Sequence, residues 1–578
     1  MDGSVDLSHQ PPNPTWSFAE LDRRVHAAQG RVTQGLSVLG LALAFQDWGL
    51  DLANAPYRRV DLAHLAWQQA RRLFGAALGI GPSPAIEPSA NDHRFAADAW
   101  QAQPFALFKQ AFLLQEEWWQ AATTGLAGVT KSHEDIVAFT MRQILDVMSP
   151  SNLPWLNPEV IEATWQSGGR NLMDGLANLA IDLRHEPPPE IAAFQVGRNL
   201  AVTPGKVVLR NALIELIQYA PSTDQVRPEP VLIVPAWIMK YYILDLSAQT
   251  SLIRYLVGQG FTVFCLSWRN PDAAMAETGF DDYRTLGVMA ALDAVEAIAG
   301  APRIHAAGYC LGGTLLAVAA AAMAGFHDDR LASVTLFAAQ TDFTEAGELQ
   351  LFTTEAQVAA LDDQMSVSGF LDASQMAGAF QLLRSNDLIW SRLVKSYLLG
   401  QRERPNELMA WNADTTRMPY RMHSEYLHRM FLNNDLAEGR FEVCGKPVSI
   451  GDIRAPFFLV GTETDHVAPW RSVYKLQLLN EGDVTFVLTS GGHNAGIVSE
   501  PGHKHRHFRL RERLPGESYI GPDEWARLAT AEDGSWWPVW TAWLAEHSGP
   551  PGAPPRMGAA ERGYKVLAAA PGRYVMER

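Results

Sequence analysis

Residues 304–314 read I-H-A-A-G-Y-C-L-G-G-T, and this stretch decides the fold. A β-prone run at 304–307 leads into Gly308-Tyr309-Cys310-Leu311-Gly312, and a helix-prone run follows over 314–326. Glycine two places before and two places after a central residue is the spacing of a nucleophile elbow, here with cysteine in the central position. The spacing has a physical cause. A sharp strand-to-helix turn leaves room only for small neighbours, and it holds the sulfur clear of the sheet above a helix N-terminus. That helix end favours a thiolate, and the backbone amide of Leu311 can donate to an oxyanion. The competing reading is a small cysteine close-packed between glycines, since cysteine is often buried. The uncharged run 306–326 is long enough to span a bilayer, but its glycines divide it into turn and helix. A buried strand–turn–helix therefore explains it better than a membrane span.

Outward from this turn, short β-rich runs recur at 231–234, 262–266, 304–308, 334–337, 457–460 and 484–488. Helical runs such as 283–299 and 314–326 lie between several of them. This alternation predicts an α/β fold with a mostly parallel sheet covered on both faces. The long gap from 337 to 457 does not repeat the unit, so residues of about 341–450 read as an inserted cap. Residues 1–200 read as a helical N-terminal domain, with helix-prone stretches at 36–52, 92–100 and 155–183. Asn157-Pro158 is a helix start signal, and Pro187-Pro188-Pro189 ends the region with a stiff break. The catalytic core then spans 201–340 and 451–547, split by the cap, and a Pro-, Gly- and Ala-rich tail, 548–578, is expected to lie extended on the surface. The expected architecture is α/β-hydrolase-type.

An elbow nucleophile needs an acid and then a histidine, each on a loop after a strand. Gly461-Thr462-Glu463-Thr464-Asp465-His466-Val467-Ala468-Pro469 follows the run 457–460. Asp465 is the preferred acid because D-x-V-x-P sets it before a helix. Glu463 is a rival by distance, and a simple loop or N-cap role for Asp465 is the structural alternative. Ser490-Gly491-Gly492-His493-Asn494 follows the run 484–488, so His493 is the candidate base. Three matches in the expected order support one another more than any one alone. His503, His505 and His507 alternate in H-K-H-R-H. Lys504 and Arg506 would repel a metal cation, so a solvated basic loop is expected there, with a role near substrate phosphates left open.

Bulk composition narrows the partners. The chain has 578 residues, 47% hydrophobic and 19% charged, an ordinary globular balance. A net charge of −16 argues against nucleic acid as a partner. Three cysteines, Cys265, Cys310 and Cys444, fit a reducing compartment rather than a disulfide framework. The opening M-D-G-S-V-D-L-S-H-Q has no basic or apolar leader pattern, so no signal peptide is expected. No phosphate-loop pattern is present.

With these residues placed, the sequence resembles the polyhydroxyalkanoate synthases, most closely those acting on short-chain (R)-3-hydroxyacyl-CoA. The matching motifs include Pro154-Trp155-Leu156-Asn157-Pro158, Val196-Gly197-Arg198-Asn199 and Thr203-Pro204-Gly205-Lys206-Val207-Val208. They continue with Ser267-Trp268-Arg269-Asn270-Pro271-Asp272, the elbow at 308–313, Trp411-Asn412-Ala413-Asp414, Gly492-His493 and Trp536-Trp537-Pro538. Where the family often has W-I-N-K, this chain has Trp237-Ile238-Met239-Lys240, so an asparagine side chain is lost while the Ile238 amide remains available as a second oxyanion donor. The resemblance implies an acyltransferase that polymerises 3-hydroxybutyryl-CoA or similar units through a thioester on Cys310, with His493 as base and Asp465 either orienting it or activating the 3-hydroxyl. It implies no cofactor, the CoA thioester being the substrate, and a growing polyester chain as product. It also implies a homodimer at the surface of cytoplasmic granules, without a transmembrane span. A thioesterase on the same core, or a non-catalytic granule-surface protein, are the alternatives.

Overall fold

The structure is a computed structural model that describes residues 17–33, 35–80, 84–89, 92–184, 191–373, 375, 378, 385, 389–402 and 404–578. The opening decapeptide and the triple proline at 187–189 lie outside them. Among the described residues eleven strands form one sheet. In chain order its members are β1 (Gly205–Arg210), β2 (Ile214–Tyr219), β3 (Val231–Val234), β4 (Val263–Trp268), β5 (Ile304–Tyr309) and β6 (Leu331–Phe337). Two small ribbons intervene, β7 (Phe370–Leu371) with β8 (Met418–Pro419), and β9 (Glu442–Val443) with β10 (Lys446–Pro447). The sheet resumes with β11 (Phe457–Thr462), β12 (Val484–Thr489), β13 (His507–Arg513), β14 (Thr530–Asp533) and β15 (Ala568–Ala569).

The spatial order is β14-β13-β12-β11-β6-β5-β3-β4-β2-β1-β15. The strands from β4 to β12 in that order run parallel, and antiparallel strands flank them on both sides. Every residue of β3, β4, β5, β6, β11 and β12 is buried. That is the pattern of a sheet covered on both faces, and each buried Val, Leu, Ile or Phe there contributes about 1.5–3 kcal/mol. The chain leaves the sheet after Phe337 and returns at Phe457 as the neighbouring parallel strand, with Phe457 opposite Val334. The apolar run 306–326 divides as its glycines require, into the end of β5, the turn at Cys310 and a helix, Leu311–Gly325. Among the described residues no helix is long and apolar enough to cross a membrane.

Among the described residues seven α-helices precede the sheet: α1 (Phe18–Val32), α2 (Val38–Asn54), α3 (Pro56–Leu78), α4 (Phe105–Thr123), α5 (Lys131–Met148), α6 (Pro158–Ser167) and α7 (Arg170–Leu183). Two of the helix-prone stretches differ from expectation. Gly168 and Gly169, both at positive φ, divide 155–183 into α6 and α7. The stretch 92–100 holds only a short 3-10 turn, Asp98–Gln101. There Asp92 accepts from the amide of its neighbour Arg94, a local bond that competes with a helix. The Arg94 guanidinium is clamped between Asp92, Glu116 and Asp146.

The N-terminal helices meet the segment inserted between β6 and β11. His26 Nδ1 lies 2.7 Å from Asp363 Oδ2, and the Ser37 amide donates to Gln357 Oε1 at 2.8 Å, both on the inserted helix Glu355–Ser368. From α7, Asn171 Nδ2 donates to the Leu398 carbonyl at 2.8 Å and Asn178 Nδ2 to that of Ser396 at 3.0 Å.

The residues after 547 do more than lie on the surface. β15 pairs with β1, adding a strand to the sheet. The amides of Arg573 and Tyr574 donate to Glu215 Oε2 at 2.8 and 3.0 Å. Lys240 Nζ, nearly buried, donates to the Glu577 carbonyl at 2.6 Å.

Candidate active site

β5 ends at Tyr309, and Cys310 turns the chain at φ 51° and ψ −125° into the helix Leu311–Gly325. A non-glycine residue held at positive φ costs on the order of 1–3 kcal/mol and persists only where its surroundings fix it. Here the Cys310 amide donates to the Phe337 carbonyl at 2.9 Å. The flanking glycines are required by contact: a Cβ at Gly308 would lie 2.4 Å from Gly313 Cα, and one at Gly312 would lie 2.2 Å from the Val234 carbonyl oxygen. The Leu311 amide stands in the first helical turn, where no helix carbonyl can accept it.

β11 delivers Asp465 and β12 delivers His493. His493 Nδ1 lies 2.8 Å from Asp465 Oδ2. The same carboxylate accepts from Thr462 Oγ1 at 2.9 Å, while Oδ1 accepts from the amides of Val467 and Ala468, each at 2.9 Å. Cys310 lies close enough to the same imidazole for its charge to act on it. The three residues chosen from the sequence are thus brought together, with Asp465 bonded to His493 and Cys310 beside it. Glu463, the rival acid, turns away and pairs with His507 Nε2 at 3.1 Å.

The electrostatics favour an ion pair. Burial works against the His493 imidazolium, but the charges of Asp465 and Cys310 and its hydrogen bond to Asp465 hold its pKa well above the ordinary value. Burial would raise the Asp465 carboxyl, but the charge of His493, its hydrogen bond and those from Ala468 and Thr462 hold it below the ordinary value. A charged imidazole beside a cysteine is the arrangement that activates such a nucleophile.

The His493 loop is held from several sides. Its ring lies 5.6 Å from that of Tyr309, whose hydroxyl donates to Asn494 Oδ1 at 2.6 Å. The indoles of Trp536 and Trp537 donate to the carbonyls of Gly496 and Ile497, both at 3.0 Å. Arg506 donates to the carbonyls of Ala495 at 2.6 Å and Ser490 at 3.3 Å. The H-K-H-R-H run is therefore not simply a solvated loop: its arginine braces the His493 turn, His503 pairs with Glu500, and His507 opens β13. Among the described residues no group of three His, Cys, Asp or Glu is arranged to hold a metal ion. Cys265 is buried in β4, and Cys444 is exposed between β9 and β10.

Cys310 and His493 open on a cavity of about 970 Å³. Ile238 and Leu311 line it from the core, while Met418, His423, Tyr426 and Phe431 line it from the inserted segment. The segment bearing Ile238 is tied at both ends. Thr416 Oγ1 donates to the Trp237 carbonyl at 2.7 Å, and Trp411 Nε1 to that of Lys240 at 2.7 Å. Sequence reasoning missed His423, because the run M-H-S-E-Y has no fixed spacing from the other three residues and no glycine or strand signal marks it.

Comparison with known proteins gives the chain a family. Family models for the poly-beta-hydroxybutyrate polymerase (PhaC) N-terminus and N terminal match residues 91–256 and 17–58, and one for the alpha/beta hydrolase fold matches 229–500. The sheet is thus that of an α/β-hydrolase. Among solved structures, a monoglyceride lipase from Saccharomyces cerevisiae aligns with 12% identity and a TM-score of 0.35, over 63% of this chain and 100% of that one. A poly(3-hydroxyalkanoate) polymerase from Methylorubrum extorquens is 41% identical over 507 residues, 86% of this chain and 82% of the relative. A poly(3-hydroxyalkanoate) polymerase subunit from Cupriavidus necator is 38% identical over 560 residues, 94% of this chain and 93% of the relative. With relatives this similar over nearly their whole length, the chain belongs to the poly(3-hydroxyalkanoate) polymerase family.

Proposed function

We propose that this enzyme is an acyltransferase that polymerises (R)-3-hydroxyacyl-CoA, 3-hydroxybutyryl-CoA and similar short units first among them, through a thioester on Cys310. The observation that carries the proposal is the bonded pair His493–Asp465 beside Cys310 at a cavity shared by core and insertion. The Cys310 thiolate attacks the thioester carbonyl, and the oxyanion is met by the amides of Leu311 and Ile238. The carbon–sulfur bond to CoA breaks, and the departing thiolate takes the proton of His493. The acyl group stays at thioester level. A hydroxyl of the growing chain then attacks it, His493 takes the hydroxyl proton, an oxoester forms, and the Cys310 thiolate is released. The last exchange is downhill, which a serine nucleophile would have forfeited in the first step. No cofactor takes part.

Asp465 acts through His493. Its side chain is fully buried, and both oxygens are already occupied by His493, Thr462 and two amides. It therefore orients and stabilises the imidazolium rather than reaching a substrate hydroxyl. Exposed Phe18, Tyr57, Trp67, Phe74 and Trp165 on the N-terminal helices support a site at the surface of polyester granules in the cytoplasm, where an apolar product is met by apolar side chains. The family resemblance supports a homodimer, which light scattering would test.

The deciding experiment is incubation with 3-hydroxybutyryl-CoA. Polymer with matching CoA release is expected. Free 3-hydroxybutyrate with CoA would make the protein a thioesterase, and no CoA release would make it a non-catalytic granule protein.

A further inference from the structure

Thr416 stands where the inserted segment runs back against the core, and it lines the same cavity as Cys310, Leu311 and Ile238. It is 3% exposed. Its Oγ1 donates to the Trp237 carbonyl at 2.7 Å, and its amide donates to the Ile238 carbonyl at 3.4 Å. Beside it, Thr415 forms an antiparallel bridge with Met239. The first of these bonds has a particular target. The Trp237 carbonyl and the Ile238 N–H belong to one peptide group, and a peptide group is planar. Whatever holds that carbonyl therefore fixes the direction of that N–H. A donor on the carbonyl also polarises the group and makes its N–H the stronger donor. Among the described residues the Ile238 amide has no protein acceptor. The chain before it has little slack. A Cβ at Gly312 would lie 2.2 Å from the Val234 carbonyl oxygen and 2.5 Å from that of Pro235, so the segment leaving β3 touches the first turn after Cys310.

We propose that Thr416 is a positioning residue for acyl transfer: its hydroxyl aims and strengthens the Ile238 amide as an oxyanion donor, so that the inserted segment, and not the core alone, completes the oxyanion site. The inference rests on the reading of Cys310 and Ile238 given above. As the Cys310 sulfur bonds to the thioester carbon, the carbonyl π pair moves onto oxygen, where the amides of Leu311 and Ile238 meet it. The pair returns when the carbon–sulfur bond to CoA breaks. Thr416 touches no reacting atom and gives up no proton in this cycle. Its effect falls on kcat for acylation rather than on KM, because the charge it helps to meet develops only towards the transition state. The other tie on this segment, from Trp411 Nε1 to the Lys240 carbonyl, lies three residues further on and anchors the chain without holding this peptide group.

The test compares two reactions of Cys310 in the same protein: acylation by (R)-3-hydroxybutyryl-CoA, read as the first CoA release, and alkylation by iodoacetamide, read as added mass. Alkylation forms no oxyanion, so it reports the sulfur alone. Thr416→Val removes the hydroxyl at nearly constant shape. It should lower the ratio of acylation rate to alkylation rate about tenfold, the upper end for loss of one neutral hydrogen bond, with the loss in kcat and little change in KM. Thr416→Ser keeps the hydroxyl and should restore most of the ratio. Replacing Ile238 by its α-hydroxy analogue turns its N–H into an ester oxygen. That change should lower the ratio at least as far, with no further loss on adding Thr416→Val. An unchanged ratio in Thr416→Val, or a loss shared equally by both reactions, overturns the proposal. Thr416→Ala makes the same comparison if Thr416→Val does not fold, and failure of both to fold makes the tie structural only and overturns the proposal too. An undiminished ratio in the Ile238 ester would instead overturn Ile238 as the donor. Absence of any acyl group on wild-type Cys310 would overturn the Cys310 reading beneath both.

Discussion

Every residue of the six parallel strands is buried, whereas α1, α2 and α3 bury little and leave Phe18, Val32, Val38, Tyr57, Trp67 and Phe74 exposed. Both regions carry large apolar side chains, but only one buries them. The sheet is packed on two faces, and its elbow leaves no room for a single added carbon. The N-terminal helices and the inserted segment meet in part through polar bonds between side chains and backbone or carboxylate, such as those from Asn171, Asn178 and His26. Such contacts are weak singly and easily exchanged with water. The reacting atoms therefore belong to the rigid region, and the cavity that covers them borrows one wall from the looser one.

Breaking the rigid side should have the largest effect. Gly312→Ala places a carbon 2.2 Å from the Val234 carbonyl oxygen, a backbone atom that cannot rotate away. Loss of soluble folded protein, or destabilisation of more than about 3 kcal/mol by denaturant titration, is expected. A stable, active Gly312→Ala enzyme would mean that the elbow is not tightly packed.

Removing chemistry without packing comes next. Cys310→Ala should abolish acyl transfer and leave the circular dichroism spectrum unchanged, while Cys265→Ala and Cys444→Ser keep most activity. His493→Gln should slow acylation by at least about a hundredfold, the lower end for loss of a general base. Rapid-quench measurement of the first CoA release would report it, and near-normal acylation would remove His493 from the mechanism.

Asp465→Asn sharpens the contrast through pH. The folded pKa of Asp465 lies below its ordinary 3.8, so its stabilisation is fully present above that value and is lost as pH falls through the lower folded one. The gap in thermal midpoint between wild type and Asp465→Asn should close as pH falls below about pH 4. A gap independent of pH would show that the carboxylate is not held as an anion.

The smallest effect should come from the looser side. A Cβ at Gly49, within α2, meets nothing within 4 Å. Gly49→Ala should stabilise that helix by about 0.5–1 kcal/mol and leave activity unchanged. Loss of stability there would mean that the helix face is covered in solution.

The parallel strands were legible in the sequence because uninterrupted burial leaves uninterrupted apolar runs. The elbow was legible because close approach of backbones restricts Gly308 and Gly312 to glycine. β2 was not, although all its residues are buried, because Glu215 and Gln218 interrupt the run. Glu215 is tolerated there by Arg210 and by amides from residues 573 and 574, far away in sequence. β13 hides behind alternating charge, since it carries His507, Arg509 and Arg511 along the flank of the sheet. The brace from Arg506 and the place of His423 depend on how loops and the insertion fold over the sheet, and no local periodicity records that.

The bonds from residues 573–577 to Glu215 and Lys240 have a consequence for the order in which the enzyme becomes complete. Synthesis runs from the N-terminus, so the elbow, the acid and the histidine have all left the ribosome when residue 493 has, while the tie on Lys240 is made only tens of residues later. In that interval two buried charged groups lack part of their partners, and the segment carrying the Ile238 amide is anchored from the insertion alone. Translation therefore supplies the tie on the Ile238 segment after the elbow, the acid and the histidine, so that, on the mechanism proposed above, the growing protein carries its sulfur before it carries a settled place for the charge which that sulfur would create.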